Sequence, residues 1–124
     1  MNILLGIDYG TKRIGLAVSV KGVISPLNAV KNDNHTINNI NLICQQYTVT
    51  KIYVGLCQGP IALLTQKFIK KLKNSLSIPI DTVEETASTI EAEAIFSQNK
   101  SNKKNYRQKI DSISAAVILR RVQI

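Results

Sequence analysis

Gly6-Ile7-Asp8-Tyr9-Gly10-Thr11-Lys12-Arg13-Ile14-Gly15-Leu16-Ala17-Val18-Ser19 is the stretch that decides how this chain folds. Residues 3–7 are continuously apolar, the pattern of a strand covered on both faces rather than one with a wet side. Asp8 closes that run. A carboxylate there is costly to desolvate unless a cation or hydrogen bonds compensate it. The flanking glycines keep bulk away, so a phosphate or a metal ion can approach the backbone. Tyr9-Gly10-Thr11-Lys12 turns the chain, and residues 13–19 return as the second strand of a β-hairpin. A hairpin turn and an ion site are compatible readings of the same residues.

Working outward, Lys21-Gly22 makes a second turn and residues 23–30 read as a third strand. Pro26 has no N–H to give to a ladder, which puts that strand at the sheet edge. Residues 32–36 are polar and offer helix caps. Ile37, Ile40, Leu42 or Ile43, and Cys44 then recur at helical spacing through Tyr47. Lys51-Ile52-Tyr53-Val54-Gly55-Leu56 reads as a buried fourth strand. Pro60 suits the first turn of a helix, and Leu63, Leu64, Phe68, Ile69 and Leu72 form its apolar stripe. Residues 77–83 make a fifth strand that runs into Glu84-Glu85. A helix capped by Thr86 or Ser88 follows, with Ile90, Ala94 and Ile95 inward. Residues 98–108, poor in apolar side chains, read as a mobile loop. A last helix spans about 109–121. The pattern predicts one α/β domain over 1–124, with an antiparallel three-strand meander and two parallel strands in a mixed five-stranded sheet, flanked by about four helices.

Composition narrows the function. The 124 residues are 44% hydrophobic, ordinary for a soluble globular domain, and no apolar run reaches the ~20 residues of a membrane-spanning helix. The N-terminus lacks the basic leader of a secretory signal. Cys44 and Cys57 have no metal-type or disulfide-framework spacing, so reduced thiols in a cytoplasmic setting are expected. A single histidine excludes His-rich metal sites and leaves carboxylates as ligands. Sixteen Lys+Arg against eight Asp+Glu gives a net charge of +8, which favours polyanionic partners, chiefly nucleic acid. Lys67, Lys70, Lys71 and Lys73 form one cluster, open both to a solvated helix face and to nucleic-acid contact. Lys100, Lys103, Lys104, Arg107 and Lys109 form another, beside Asp111, and are read as phosphate contacts.

Three carboxylate regions therefore stand out. Asp8 ends strand one, Glu84-Glu85 follow strand five, and Asp111 begins the final helix, positions such a topology can gather at the carboxyl end of the central strands. Grouped carboxylates repel one another unless a cation joins them, and hard oxygen ligands suit Mg²⁺ or Mn²⁺. Two such ions about 4 Å apart serve phosphodiester hydrolysis. A purely structural reading stands beside this: Asp111 offsets a helix dipole, and Glu84 and Glu85 are solvated.

The opening stretch resembles the signature of the YqgF/RuvX family, small bacterial proteins of RNase H-like fold described as Holliday-junction-resolvase-like and as nucleases of the pre-16S rRNA end. The resemblance runs the length of the chain. Tyr53-Val54-Gly55-Leu56 resembles the family's Val-Gly-Leu-Pro strand end, the segment 84–93 its Asp-Glu-Arg-hydrophobic-Ser-Thr-x-Glu-Ala block, and the segment 109–119 its Asp-x-x-Ala-Ala-x-x-Leu helix. It implies a metal-dependent nuclease, with Asp8, Glu85 and Asp111 as the catalytic and metal-binding set, Mg²⁺ or Mn²⁺ (two ions) as cofactor, and Lys12 and Arg13 near the nucleic-acid backbone. It further implies precursor ribosomal RNA as the favoured partner, with structured DNA as the alternative, and a monomer or weak homodimer away from membranes. The chain departs from the family at Thr86, where the family has arginine, at Glu84 for aspartate, at Cys57 for proline, and in a shortened loop at Gln58-Gly59-Pro60. Two rival readings are weaker. An actin-like or sugar-kinase phosphate loop would require a second lobe, and a binder without catalysis has no use for clustered carboxylates.

Overall fold

The computed structural model describes the backbone of residues 2–56, 59–84 and 103–123, and the side chains of these outside 103–111. In chain order the elements are β1 (Leu4–Asp8), β2 (Arg13–Val20), β3 (Val23–Pro26), β4 (Val30–Lys31), α1 (Thr36–Tyr47), β5 (Lys51–Leu56), α2 (Pro60–Ser75), β6 (Ile80–Glu84) and α3 (Lys103–Val122). The sheet order is β3-β2-β1-β5-β6. β1 is central, antiparallel to β2 and parallel to β5, which is why its sequence is apolar throughout.

Helices cover both faces, and the two faces differ in grain. Leu5, Ile7, Ile14, Leu16, Ile52 and Val54 pack into one large-residue core with Ile40 and Cys44 of α1 and Phe68 and Leu72 of α2. On the other face Ala17 meets Ala115, Ala116 and Leu119 of α3. Gly6 is part of this thin layer: a Cβ there would lie 2.6 Å from the Ala115 carbonyl oxygen and 2.8 Å from Leu119 Cγ. Gly6 thus lets α3 settle close to the sheet.

The β2–β3 hairpin turns through Lys21 (φ 52°) and Gly22 (φ 80°), two consecutive left-handed residues as the right-handed twist of a two-residue hairpin requires. The expected third strand, 23–30, is two pieces. Ala17 pairs with Pro26 and Ile14 with Val30, so residues 15–16 of β2 face residues 27–29. The extra residue is a β-bulge, and it makes β4 a sixth, short strand where five were expected. Pro26 sits on the sheet-edge strand, as its missing N–H requires.

Three further expectations are corrected. Residues 103–108 are helical rather than loop, because Lys, Arg and Gln are good helix formers and sustain a helix without an apolar stripe. The final helix accordingly begins at Lys103 instead of about 109. On α1, Ile43 packs against the core and Leu42 is exposed; on α2, Leu63 and Leu64 are exposed and Thr65 takes the buried place. The Thr65 hydroxyl manages burial by donating to the Ile61 carbonyl at 2.9 Å. Three helices lie among the described residues; the expected fourth, with Ile90, Ala94 and Ile95, falls outside them.

Candidate active site at the carboxyl end of the central strand

β1, β5 and β6 run parallel, so Asp8, Leu56 and Glu84 finish along one edge of the sheet. Along β1 the side chains alternate: Leu5 and Ile7 enter the α1–α2 core, and Leu4 and Gly6 face α3. Asp8 continues the second series. It is half-buried, makes an interaction within the fold, and pairs across the ladder with Gly15, which brings no side chain of its own to the space beside the carboxylate.

The helix α3 reaches this corner through one hydrogen bond. Ser112, fully buried, accepts at Oγ from the Leu16 backbone N–H at 3.0 Å. Leu16 pairs with Ile7, and Gly15 with Asp8, so the α3 backbone at 111–112 lies beside the last residues of β1. Asp111 is thus the ninth residue of a helix that starts at Lys103. The expectation that it begins its helix is overturned, and with it the dipole explanation, because a helix dipole acts on charges within the first turn. The backbone of Asp111 is therefore held at this corner by the interior of α3 rather than by a helix start.

The loop between β1 and β2 is clamped. Asn32 donates from Nδ2 to the Gly10 carbonyl at 2.9 Å and from its backbone N to the Lys12 carbonyl at 3.0 Å. Gly10 admits the sharp return, since a Cβ would lie 2.3 Å from the Arg13 carbonyl oxygen. The two motif glycines therefore have packing duties of their own, apart from any ligand. Lys12 and Arg13 are exposed on this loop, and Arg13 is paired across the ladder with Lys31, also exposed.

Glu85 and Thr86 lie outside the described residues, as do the Cys57 and Gln58 departures. Lys103, Lys104 and Arg107 fall in the first two turns of α3, where the backbone alone is described. Among the described residues no three His, Cys, Asp or Glu side chains cluster; of the expected set only Asp8 has a described side chain. Its hard-oxygen donor at a glycine-lined strand end is chemically suited to Mg²⁺ or Mn²⁺. Asn32, Ser112 and Tyr9 were not singled out by sequence reasoning as positioning residues. Ser112 carried a signal in its adjacency to Asp111, whereas Asn32 acts across 22 positions and left none.

The fold has known counterparts. The Fowlpox virus Holliday junction resolvase superimposes with a TM-score of 0.61 at 14% identity, covering 98% of this chain and 97% of that one. Thermus thermophilus RuvC bound to a Holliday junction substrate gives 0.55 at 11% identity, covering 95% and 90%. These likenesses establish the RNase H-like architecture alone. In sequence, a protein of Sulfurihydrogenibium sp. named "Putative pre-16S rRNA nuclease" is 40% identical over 96% of this chain and 88% of its own length. One of the same name from Buchnera aphidicola is 34% identical over 94% and 93%. The profile of the RuvX family, described as Holliday junction resolvase, matches residues 2–122, and the chain belongs to that family.

Proposed function

We propose that this chain is a divalent-metal-dependent nuclease that acts on the precursor of 16S ribosomal RNA. The observation that supports it most is that the strand end carrying half-buried Asp8 and the α3 backbone at Asp111 meet at one sheet corner. Asp8, Asp111 and Glu85 would hold Mg²⁺ or Mn²⁺, two ions in all. Bound there, the ions supply neutralisation of phosphate charge and activation of water.

The chain's own residues supply position. Phosphoryl transfer asks little covalent chemistry of a protein and much placement. The Asn32 clamp fixes the Gly10–Lys12 backbone, and Lys12 and Arg13 on that loop would hold the backbone of the substrate in register with Asp8. Ser112 fixes the height of α3, and with it the distance from Asp111 to the strand end. Lys103, Lys104 and Arg107, in the first two turns of the same helix, would add further phosphate contacts.

The test combines cleavage and binding. In Mn²⁺, wild type should cut precursor ribosomal RNA in preference to a four-way DNA junction, and Asp8→Asn should lose about 100-fold or more of that rate. Mn²⁺ should raise the melting temperature of wild type and leave that of Asp8→Asn unmoved. Thr86→Arg, restoring a bidentate phosphate contact, should tighten binding and raise the rate. Wild type and Asp8→Asn equally inert, with both still binding nucleic acid, would mean a binder that has kept a nuclease fold.

A further inference from the structure

Tyr9 follows Asp8 and sits on the opposite side of the sheet. Its ring packs on Phe68 of α2, centroids 5.0 Å apart and tilted 45°. From that contact a cleft of about 310 Å³ opens between the start of α1 and the middle of α2. Leu64, 42% exposed, continues its apolar wall, and Lys67 and Lys71 rim it. The two lysines are one helical turn apart and so stand on one face. Asn34 offers its amide from the other side, and Asn32, whose Nδ2 is committed to Gly10, offers its Oδ1; the one carboxylate in the lining, Asp33, is engaged, its Oδ1 accepting from the His35 N–H at 2.8 Å.

These features belong together chemically. An aromatic and aliphatic floor takes the face of an unstacked base, amides suit its polar edge, and paired lysines suit the phosphates that flank it. Tyr9 and Phe68 also serve the core, but exposed Leu64 contributes to no core, and nearby Lys70 and Lys73 lie off the cleft. We infer that the cleft is a nucleotide subsite for single-stranded RNA, receiving an unpaired base of the substrate strand. The inference rests on the nuclease reading for its substrate, and it commits to an unpaired strand, because a base inside a duplex presents no free face to Tyr9.

The experiment measures binding alone, in EDTA, by fluorescence anisotropy of a labelled twelve-nucleotide oligouridine and of a twelve-base-pair RNA duplex. Two double variants of α2 carry the same charge change: Lys67→Gln/Lys71→Gln in the cleft rim, and Lys70→Gln/Lys73→Gln outside it. The rim pair should reduce the magnitude of the logarithmic salt slope for the single strand by about 1.4, two contacts at ~0.7 each. The other pair should leave it near the wild-type value. Tyr9→Leu, which keeps an apolar side chain against Phe68, should weaken single-strand binding at least about fivefold. Equal losses from both lysine pairs would reduce the rim to general attraction and overturn the subsite. So would a rim-pair effect confined to the duplex, or no effect from the rim pair at all. Because no metal is present, these results are independent of whether Asp8→Asn abolishes cleavage: the subsite can fail while the nuclease stands, and the reverse.

Discussion

Gly6→Ala is a single methyl group aimed at the closest contact between sheet and helix. Its Cβ would lie 2.6 Å from the Ala115 carbonyl oxygen and 2.8 Å from Leu119 Cγ, where ordinary contact starts at 3.4 Å. Leu119 can rotate away, but a helix carbonyl cannot, so α3 must retreat by about 0.8 Å. Overpacking of this kind costs about 1–3 kcal/mol, and a backbone obstacle puts it at the upper end. Alanine recovers roughly 0.4–1 kcal/mol by stiffening the unfolded chain, leaving a net loss of about 2 kcal/mol. For a domain of this size that lowers the melting temperature by roughly 8 °C. The protein stays folded at 25 °C, yet the retreat displaces Asp111 from Asp8, and a misplacement near 1 Å can cost about 100-fold in rate. Activity should therefore fall far more than stability. Gly22→Ala is the control: at φ 80°, with nothing within 4 Å of its Cβ, it should cost about 1 kcal/mol and leave turnover unchanged. Thermal and urea unfolding by circular dichroism, with the precursor cleavage assay alongside, decide the matter. A Gly6→Ala protein as stable as wild type would refute the packing argument, and one that is destabilised but fully active would refute the link from α3 to the site.

Other substitutions probe separate links. Ser112→Ala removes the acceptor of the buried Leu16 N–H and should cost about 1–3 kcal/mol in urea unfolding, with a matching loss of cleavage; a neutral result would mean that water or the sheet satisfies that amide. Burial raises the Cys44 thiol to about 11 from 9.0, so the fold favours the protonated form. Stability from this source is complete below pH 9 and is lost as pH climbs toward 11, and Cys44→Ser should flatten that decline in a pH series of melting temperatures. Asp81, exposed and held below the usual carboxylate range by its hydrogen bond and 2.8 Å ion pair with Lys51, acts in the opposite direction, losing its contribution as pH falls through its carboxyl range. Asp81→Asn should change the acid limb only slightly, since such surface pairs contribute little.

The readable parts of this fold are those set by local chemistry. Lys21-Gly22 announced its hairpin because two left-handed residues in succession are rare without glycine, and Pro26 announced an edge because it lacks a donor. The unbroken apolar run of β1 announced a central strand. The bulge at 27–29 was invisible, because it depends on which residues of β2 each piece faces. Periodicity also misled on α2: Leu63 and Leu64 continue the stripe on paper, but the helix runs past the sheet's cover there and Thr65 takes the inner position. The first turns of α3 were misread because a charged helix has no apolar period to detect. For the candidate site, Asp8 stands out in the sequence as a lone carboxylate at an apolar strand's end, and the structure puts it half-buried at the end of β1. Asp111 was expected at a helix start and lies inside α3 instead, because the charged residues before it carry no apolar period.

The hydrogen bond from Leu16 to Ser112 joins residues 96 positions apart, and the Ser19 hydroxyl donates to the Gln123 side-chain carbonyl across 104. The β1–β2 hairpin, by contrast, closes over a few residues. Loop-closure entropy and contact order place such long-range docking late in folding. A chain that has built the sheet and its α1–α2 core has Asp8 in place but not the wall that brings Asp111 to it. Docking of the final helix is thus expected to follow assembly of the sheet, and on the proposed site cleavage would report whether that helix has docked.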